Sequence, residues 1–476
     1  VKRYSIGFIF LLAIILCISY CFQKKYGEKI VEWLNKKRFL LMLIVCFFVM
    51  LIVAFALRVD VYDTWDFGQL IRTSYERVVY GTIENKAYYA RYPNNSMFLI
   101  VLINYFRIVH LWAGENIYNY IDATIPLNCI LVVLSIYFSY RAVCELWDEK
   151  QGTKVGILLM SLSPLYAYAA IAYTDIFSIF PLAIILFCYS KAKKANKKWE
   201  RMFWISLSAC IGVIGFKLKA TLIIILVAIV IDLVLDILQK KTHVISLVIY
   251  MCVCVISFSG VSYMNNSFLE REGLSKEVRY KDEFPITHWI MMSLNPENAG
   301  GYVQSDVDFT SSIHGKTEKQ RANIEEIQKR LEENGFSKTI YHVFAKKVGR
   351  MWGEGDYNAS NYVSRNPLSD NVIREIFAWN GKYNNIYLVI TQLIHMYMLF
   401  MLVILGIKAK SAREGGNVCL FKVIMIGVFL FFLIWECNSR YLLVFLPVIS
   451  ILTVCGNDLC LKHNQKLSVR RDRIRR

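Results

Sequence analysis

Three carboxylates, Asp60, Asp63 and Asp66, follow closely on the apolar run Phe39–Leu57. A fourth, Asp175, stands at the end of another apolar run about a hundred residues later. Carboxylates at the mouth of a membrane helix are costly unless they have a task. The chemistry open to them is general base catalysis or metal binding; the alternative is a solvated acidic loop. Asp63 and Asp66 are spaced i, i+3 and share a face in a helical turn. Asp66-Phe67-Gly68 lacks any kinase context. Tyr173-Thr174-Asp175 makes up a whole turn, where Asp175 either orients a ligand or caps the next helix.

Cations gather at similar turns. Lys217 and Lys219 break the charge pattern of every other short loop, and a phosphate would explain them, since lysine binds it as a point charge. Glu436, Asn438 and Arg440, followed by Tyr441 and Pro447, form a third constellation. There Arg440 either pairs with Glu436 or clamps a phosphate. Tyr92-Pro93-Asn94-Asn95 opens a helix with proline at its start. Its asparagines bind sugar hydroxyls or cap the helix, capping being the first reading for Asn94. Asn94-Asn95-Ser96 fits a glycosylation sequon, but a membrane-proximal helix start is a poor acceptor.

The elements that must position these groups are membrane helices. The chain has 476 residues, is 56% hydrophobic and 14% aromatic, and its apolar residues fall in runs long enough to span a bilayer. Lysine and arginine outnumber aspartate and glutamate, 55 to 37. The excess lies in short loops, so it reports topology rather than a nucleic-acid partner. The 13 cysteines lie almost all inside apolar runs and form no disulfide framework. The histidines show no zinc-ligand spacing.

Spans are expected at Ser5–Phe22, Phe39–Leu57, Ala123–Tyr140, Val155–Ile171, Ile176–Ser190 and Met202–Phe216. Five more follow at Ala220–Leu238, Val244–Val261, Ile386–Ile407, Val418–Trp435 and Tyr441–Cys455. Basic loops at Lys24–Arg38, Lys191–Arg201, Lys240-Lys241 and Lys408–Arg413, with the arginine-rich tail, are expected in the cytoplasm. The C-terminus is then inside and the N-terminus outside, with Ser5–Phe22 a retained anchor. Met97–Trp112 is also long enough to span. Counting it would put Asp66 and Asp175 on opposite sides, and it carries Asn104, Arg107 and His110, so it is expected to lie in the outer interface.

The division that follows is an anchor and basic loop over 1–38 and a core over 39–262 with a first outer loop at 58–122. An outer domain over 263–384, C-terminal helices over 385–458 and a basic tail over 459–476 complete it. In the outer domain Thr317-Glu318-Lys319-Gln320 has the capping-box pattern before a helix ending near Gly335. A second helix over Ser337–Met351 carries Lys346, Lys347 and Arg350 on one face, a pattern expected on a membrane surface.

The order of these parts resembles the GT-C glycosyltransferases that use polyprenyl-phosphate-linked sugars, especially the branch with protein O-mannosyltransferases and lipid A aminoarabinose transferases. The resemblance runs from about Phe39 to Pro447. It rests on the acids after the first core span, Pro93 at an interfacial helix, Ser163-Pro164-Leu165, Tyr173-Thr174-Asp175 and Phe216-Lys217-Leu218-Lys219. It continues through Arg440-Tyr441 and Pro447. Leu294-Asn295-Pro296, Gly300-Gly301-Tyr302 and Trp352-Gly353-Glu354-Gly355 are similar to a Gram-positive bacterial branch. Departures are Pro93-Asn94 where that branch often has two prolines, and a lone acid where it has an Asp-Glu pair.

The resemblance implies an all-α, GT-C-like membrane protein that moves a sugar from a polyprenyl-phosphate donor to a cell-envelope glycan, lipid or protein. The reaction would be inverting, at the outer face of a bacterial plasma membrane. It implies Asp66 as base with Asp63 as understudy, and Asp175, Asn95 and Asp60 orienting the acceptor or a metal. Lys219, Lys217 and Arg440 would hold the donor phosphate, with Glu436, Tyr441 and Tyr173 in support. Carboxylates without histidine suit Mg²⁺ or Mn²⁺. A transporter or a non-catalytic assembly protein would share the spans. The first calls for polar residues at mid-membrane and repeat symmetry, and no internal repeat is evident.

Overall fold

The computed structural model describes residues 27–62, 65–408 and 416–475. The expected anchor Ser5–Phe22 and the candidate acid Asp63 lie outside the described residues. Among those described, helix is the regular secondary structure, apart from one isolated antiparallel bridge, Val59 to Pro367.

The bundle consists of α1 (Lys36–Ala56), α2 (Asp66–Val79), α3 (Ser96–Ala113), α4 (Ile117–Leu146), α5 (Glu149–Met160) and α6 (Ser163–Tyr168). Next come α7 (Ile179–Lys194), α8 (Lys198–Leu218), α9 (Ile223–Leu238) and α10 (Val244–Arg271). After the long polar segment, whose main helix is α11 (Lys316–Tyr341), the chain returns through α12 (Asn384–Lys408), α13 (Gly416–Ile434) and α14 (Leu446–Arg475). Ten described helical stretches are long and apolar enough to cross a membrane.

Ion pairs mark the two ends of the bundle. At the basic end Lys150 meets Glu32 and Lys154 meets Asp458, while Lys191 meets Glu145 and Lys193 meets Asp232. At the opposite end Arg58 pairs with Asp122 and Arg77 with Glu272. Following the chain between these markers gives an up-and-down path in which α4 starts beside the end of α1.

That path decides how α3 lies. Its first residue, Ser96, donates to Asn265 near the end of α10, at 2.8 Å. Just past its other end, the carbonyl of Glu115 accepts the Tyr75 hydroxyl of α2. Both ends therefore sit at the same end of the bundle, and α2 packs along its side. Although its length and composition would allow a crossing, α3 begins and ends at one end of the bundle, as a helix lying along an interface would. Exposed Ile108, Leu111 and Trp112 give it the apolar face such a position needs.

The expected span Val155–Ile171 is not one helix. It breaks at Ser161-Leu162 into α5 and α6. Pro164 has no N–H to give the carbonyl of Met160, and its ring would collide with that carbonyl. The Tyr166 hydroxyl takes the donor's place at 2.7 Å.

With no hydrophobic drive between helices inside lipid, close approach depends on small residues and packing. One stripe of α1, Phe39, Leu43, Cys46, Met50 and Ala54, is buried, while Leu41, Ile44, Phe48 and Ile52 face outward. Gly152 and Gly156 on α5 make the contact possible. A β-carbon at Gly156 would stand 2.5 Å from the Phe39 ring, and one at Gly152 would stand 2.8 Å from the Tyr140 carbonyl.

The polar segment after α10 folds around Asp306, which accepts from Arg330 and Asn295. Its main helix starts at Lys316 with Gly315 as N-cap, not at the expected Thr317 cap. Gly315 has φ +93°, and a β-carbon there would strike the Glu318 carboxylate, so the backbone turns where only glycine fits comfortably. Thr317 instead bonds the Tyr280 hydroxyl.

The second expected helix continues from α11 past a break at Gly335, through a π-helical turn at His342–Lys347 into Val348–Trp352. Two of its three cations do not face a membrane surface. Lys347 is buried and donates to the carbonyls of Leu433 (2.9 Å) and Trp435 (3.1 Å), while Arg350 donates to that of Cys437. Free carbonyls at a helix end attract cations, which is what the end of α13 offers here. Burial pushes the Lys347 ammonium down to about 8. This contact seats the polar segment directly on the Glu436–Arg440 turn.

Candidate active site

Asp66 sits in the first turn of α2, where the helix dipole favours a negative charge. The Tyr88 hydroxyl donates to its Oδ1 at 2.8 Å and the Tyr173 hydroxyl to its Oδ2 at 2.9 Å. Tyr88 lies on a short helix, Lys86–Arg91, capped by the Asn85 side chain. The amide of buried Asn95 donates to the Tyr88 hydroxyl at 2.6 Å. Burial, then the charge of Asp66, push the Tyr88 phenol well above its usual range, so it stays a donor. Two hydroxyls thus fix the plane of the carboxylate and leave it room to accept a third hydrogen.

Asp175 opens the short Thr174–Phe177 helix and is almost fully buried. It is not an N-cap: Tyr173 holds that position and makes no side-chain cap bond. Lys219 Nζ lies 2.6 Å from one of its oxygens and Arg440 Nε 3.0 Å from the other. Neither contact has the alignment of a hydrogen bond, so the carboxylate keeps accepting capacity. Burial pulls the Lys219 ammonium down against the opposing charge of Asp175.

Arg440 is buried in an aromatic cage. Its Cζ lies 4.3 Å from the ring centre of Trp65, 4.6 Å from Tyr362 and 5.1 Å from Tyr173. Its Nη1 is buried without a hydrogen-bond partner. Cation–π contacts hold the guanidinium in place while leaving its in-plane donors for an anion. Of the two pairings open to Arg440 in sequence, the one with Glu436 is not made. Glu436 accepts from the Tyr441 hydroxyl at 3.2 Å, and burial pushes its carboxyl above the usual range against the pull of Arg440.

The remaining candidates stand apart. Lys217, in the last turn of α8, points at the Phe258 ring of α10, 4.1 Å away, while Lys219 follows as the extended C-cap residue. Asp60 folds back on the amides of Val61 and Tyr62 at 2.6 and 3.2 Å, a turn-forming role. Asn94 donates to the Asn95 side chain and does not cap α3.

Trp65, Tyr88 and Tyr362 were missed in sequence. Trp65 and Tyr88 could have been sought, one beside Asp66 and the other seven residues before Asn95. Nothing in the sequence marks Tyr362, which comes from the far polar segment.

Among the described residues no three acids, histidines or cysteines group as a metal site. Asp66 is held by phenols and Asp175 by cations, so these residues do not fit Mg²⁺ or Mn²⁺.

The chain belongs to the family of conserved hypothetical integral membrane proteins. The family model matches residues 3–460, and the chain is an integral, multi-pass membrane protein. No curated protein matches it. Among solved structures it is similar to ArnT from Cupriavidus metallidurans bound to undecaprenyl phosphate. That match has 14% identity over 87% of this chain and 78% of ArnT, with a TM-score of 0.37. It is also similar to the archaeal oligosaccharyltransferase AglB from Archaeoglobus fulgidus, in complex with an inhibitory peptide and a dolichol-phosphate. Here identity is 12% over 90% of this chain and 51% of AglB, with a TM-score of 0.39. The chain spans about half the length of AglB.

Proposed function

We propose that this protein is a membrane glycosyltransferase that moves a sugar from a polyprenyl-phosphate donor to a cell-envelope acceptor at the outer face of a bacterial plasma membrane. The observation that carries the reading is the meeting of a held carboxylate and a caged cation at Tyr173. That residue donates to Asp66 and lines the cage of Arg440. A base and an anion clamp side by side suit transfer between a hydroxyl and a phosphate.

In the reaction the acceptor oxygen attacks the anomeric carbon as the bond from that carbon to the phosphate oxygen breaks, with inversion. The acceptor proton passes to Asp66, and the bonding electrons leave on the phosphate. General base assistance of this kind contributes roughly 10²–10⁴ in rate. Arg440 and Lys219 face the charge that grows on the departing phosphate, and Asp175 orients both cations. Interfacial α2 and α3 let the lipid tail remain in the bilayer while its head reaches Asp66.

The test is to incubate the purified protein with polyprenyl-phosphate sugars and measure released lipid phosphate. Asp66→Asn should abolish release while donor binding stays within a few fold, because a base acts in the transition state. Release that persists in Asp66→Asn overturns Asp66 as the base. No release from any donor favours a transporter.

A further inference from the structure

At the basic end, away from Asp66, the ends of α7, α8, α9 and α13 line a half-open cavity of about 310 Å³. Its wall carries Lys193, Arg201, Asp236, Lys241, Thr242 and Asn417. The ion pairs there are unequal. Lys193 is neutralised by Asp232 at 2.6 Å and Asp236 at 3.1 Å, with the Tyr189 hydroxyl completing Asp232. Arg201 and Lys241 meet no carboxylate within ion-pair distance among the described residues. Arg201 spends one terminal nitrogen on the Ala195 carbonyl, and its buried Nε has no hydrogen-bond partner. Three cations thus stand against two carboxylates, so the cavity carries one net positive charge, with Arg201 and Lys241 outside any ion pair and a buried donor on its wall.

We infer that this cavity binds a phosphate group, namely that of an anionic phospholipid in the leaflet at the basic end. Depth favours a lipid source. Lys193 lies in the last turn of α7 and Arg201 in the first turn of α8, Lys241 follows α9, and Asn417 opens α13. All four are at helix ends, the level of lipid head groups. Exposed Trp199, Phe203 and Leu238 lie within a turn of these residues in sequence, and aromatic side chains anchor at that level. Basic pockets between membrane helices take up anionic head groups in this way. The inference is independent of the transfer reaction, because none of these residues is near Asp66 or Arg440.

The experiment uses the full chain in detergent, with phosphatidylglycerol binding followed by native mass spectrometry. Phosphatidylcholine and inorganic phosphate serve as separate probes. Arg201→Gln with Lys241→Gln should weaken phosphatidylglycerol binding tenfold to a hundredfold, on the order expected for charge-assisted hydrogen bonds. Phosphatidylcholine binding should not change, and Lys338→Gln, at the other end, should match the unaltered protein. Displacement of the lipid by inorganic phosphate alone supports the phosphate site and assigns its source to solution. Equal phosphatidylglycerol affinity in the double variant and the unaltered protein, with equal melting temperatures, overturns the inference. Should the double variant unfold, Lys241→Gln decides, since that side chain is exposed; unchanged affinity there also overturns it.

Discussion

Tyr173 donates its hydroxyl to Asp66 at 2.9 Å and lays its ring beside Arg440, 5.1 Å from the guanidinium carbon. One side chain therefore orients the base and walls the anion clamp. Tyr173→Phe keeps the ring and removes only the hydrogen bond. It should lower transfer about tenfold, within the range for a hydrogen bond to a charged group, while donor affinity stays the same. A matched loss of donor affinity would instead assign Tyr173 to the clamp.

Much of this site is legible in sequence because a membrane makes polar residues conspicuous. Asp66, Asp175, Lys219 and Arg440 stand out at the ends of apolar runs, and the parity of the spans places them together. What stayed hidden is pairing. Asp175 reads as orienting a ligand or capping the next helix until Lys219 and Arg440 are seen on its two oxygens. The Lys347 and Arg350 face reads as a membrane surface because nothing local reveals that the end of α13 lies beneath it. The aromatic cage sets Trp65, Tyr173 and Tyr362, from segments far apart in the chain, beside Arg440 and its neighbour Tyr441, and single-sequence spacing does not mark Tyr362 as a member.

The two lysines of the 217–219 turn should behave differently. Lys217→Met removes only a contact with Phe258 and should leave donor affinity within twofold. Lys219→Met removes a cation from Asp175 and should weaken donor binding by roughly tenfold or more. Asp175 keeps Arg440 on its other oxygen, so the loss of stability should stay below that of a buried carboxylate left with no partner. Asp175→Asn in the Lys219→Met background takes the carboxylate from buried Arg440, and should restore neither the melting temperature nor the donor affinity. Recovery of both would make the pair purely structural.

His288 gives the polar segment a dependence on pH. It is buried, bonds Thr310 at 2.8 Å, and burial lowers it from 6.5 to about 4. Because the folded value lies below the unfolded one, the unfolded chain binds a proton first as pH falls. Stability is therefore full above about 6.5 and declines until about 4, by up to about 3 kcal/mol. Trp289, next to His288, supplies a fluorescence signal for melts across that range. His288→Gln should flatten the decline, and an equally steep decline in that variant would assign it to other groups.

The position of α3 is the prediction on which the site depends. If α3 crosses the membrane, the Asp66 loop and the turn at Asp175 fall on opposite faces and cannot share a substrate. Its two ends meet α10 and α2 at one end of the bundle, so a cysteine at exposed Glu115, just past the end of α3, and one at Thr317 should react alike. In intact cells a membrane-impermeant maleimide should label both, and should leave one at Lys194, at the basic end, unlabelled. Native cysteines do not confuse the assay if their background is subtracted with the unaltered chain. Labelling at Lys194 together with protection at Thr317 would invert the whole molecule. Labelling at Thr317 with protection at Glu115 would place the end of α3 away from the site face, and with it the case for a shared active site would fail.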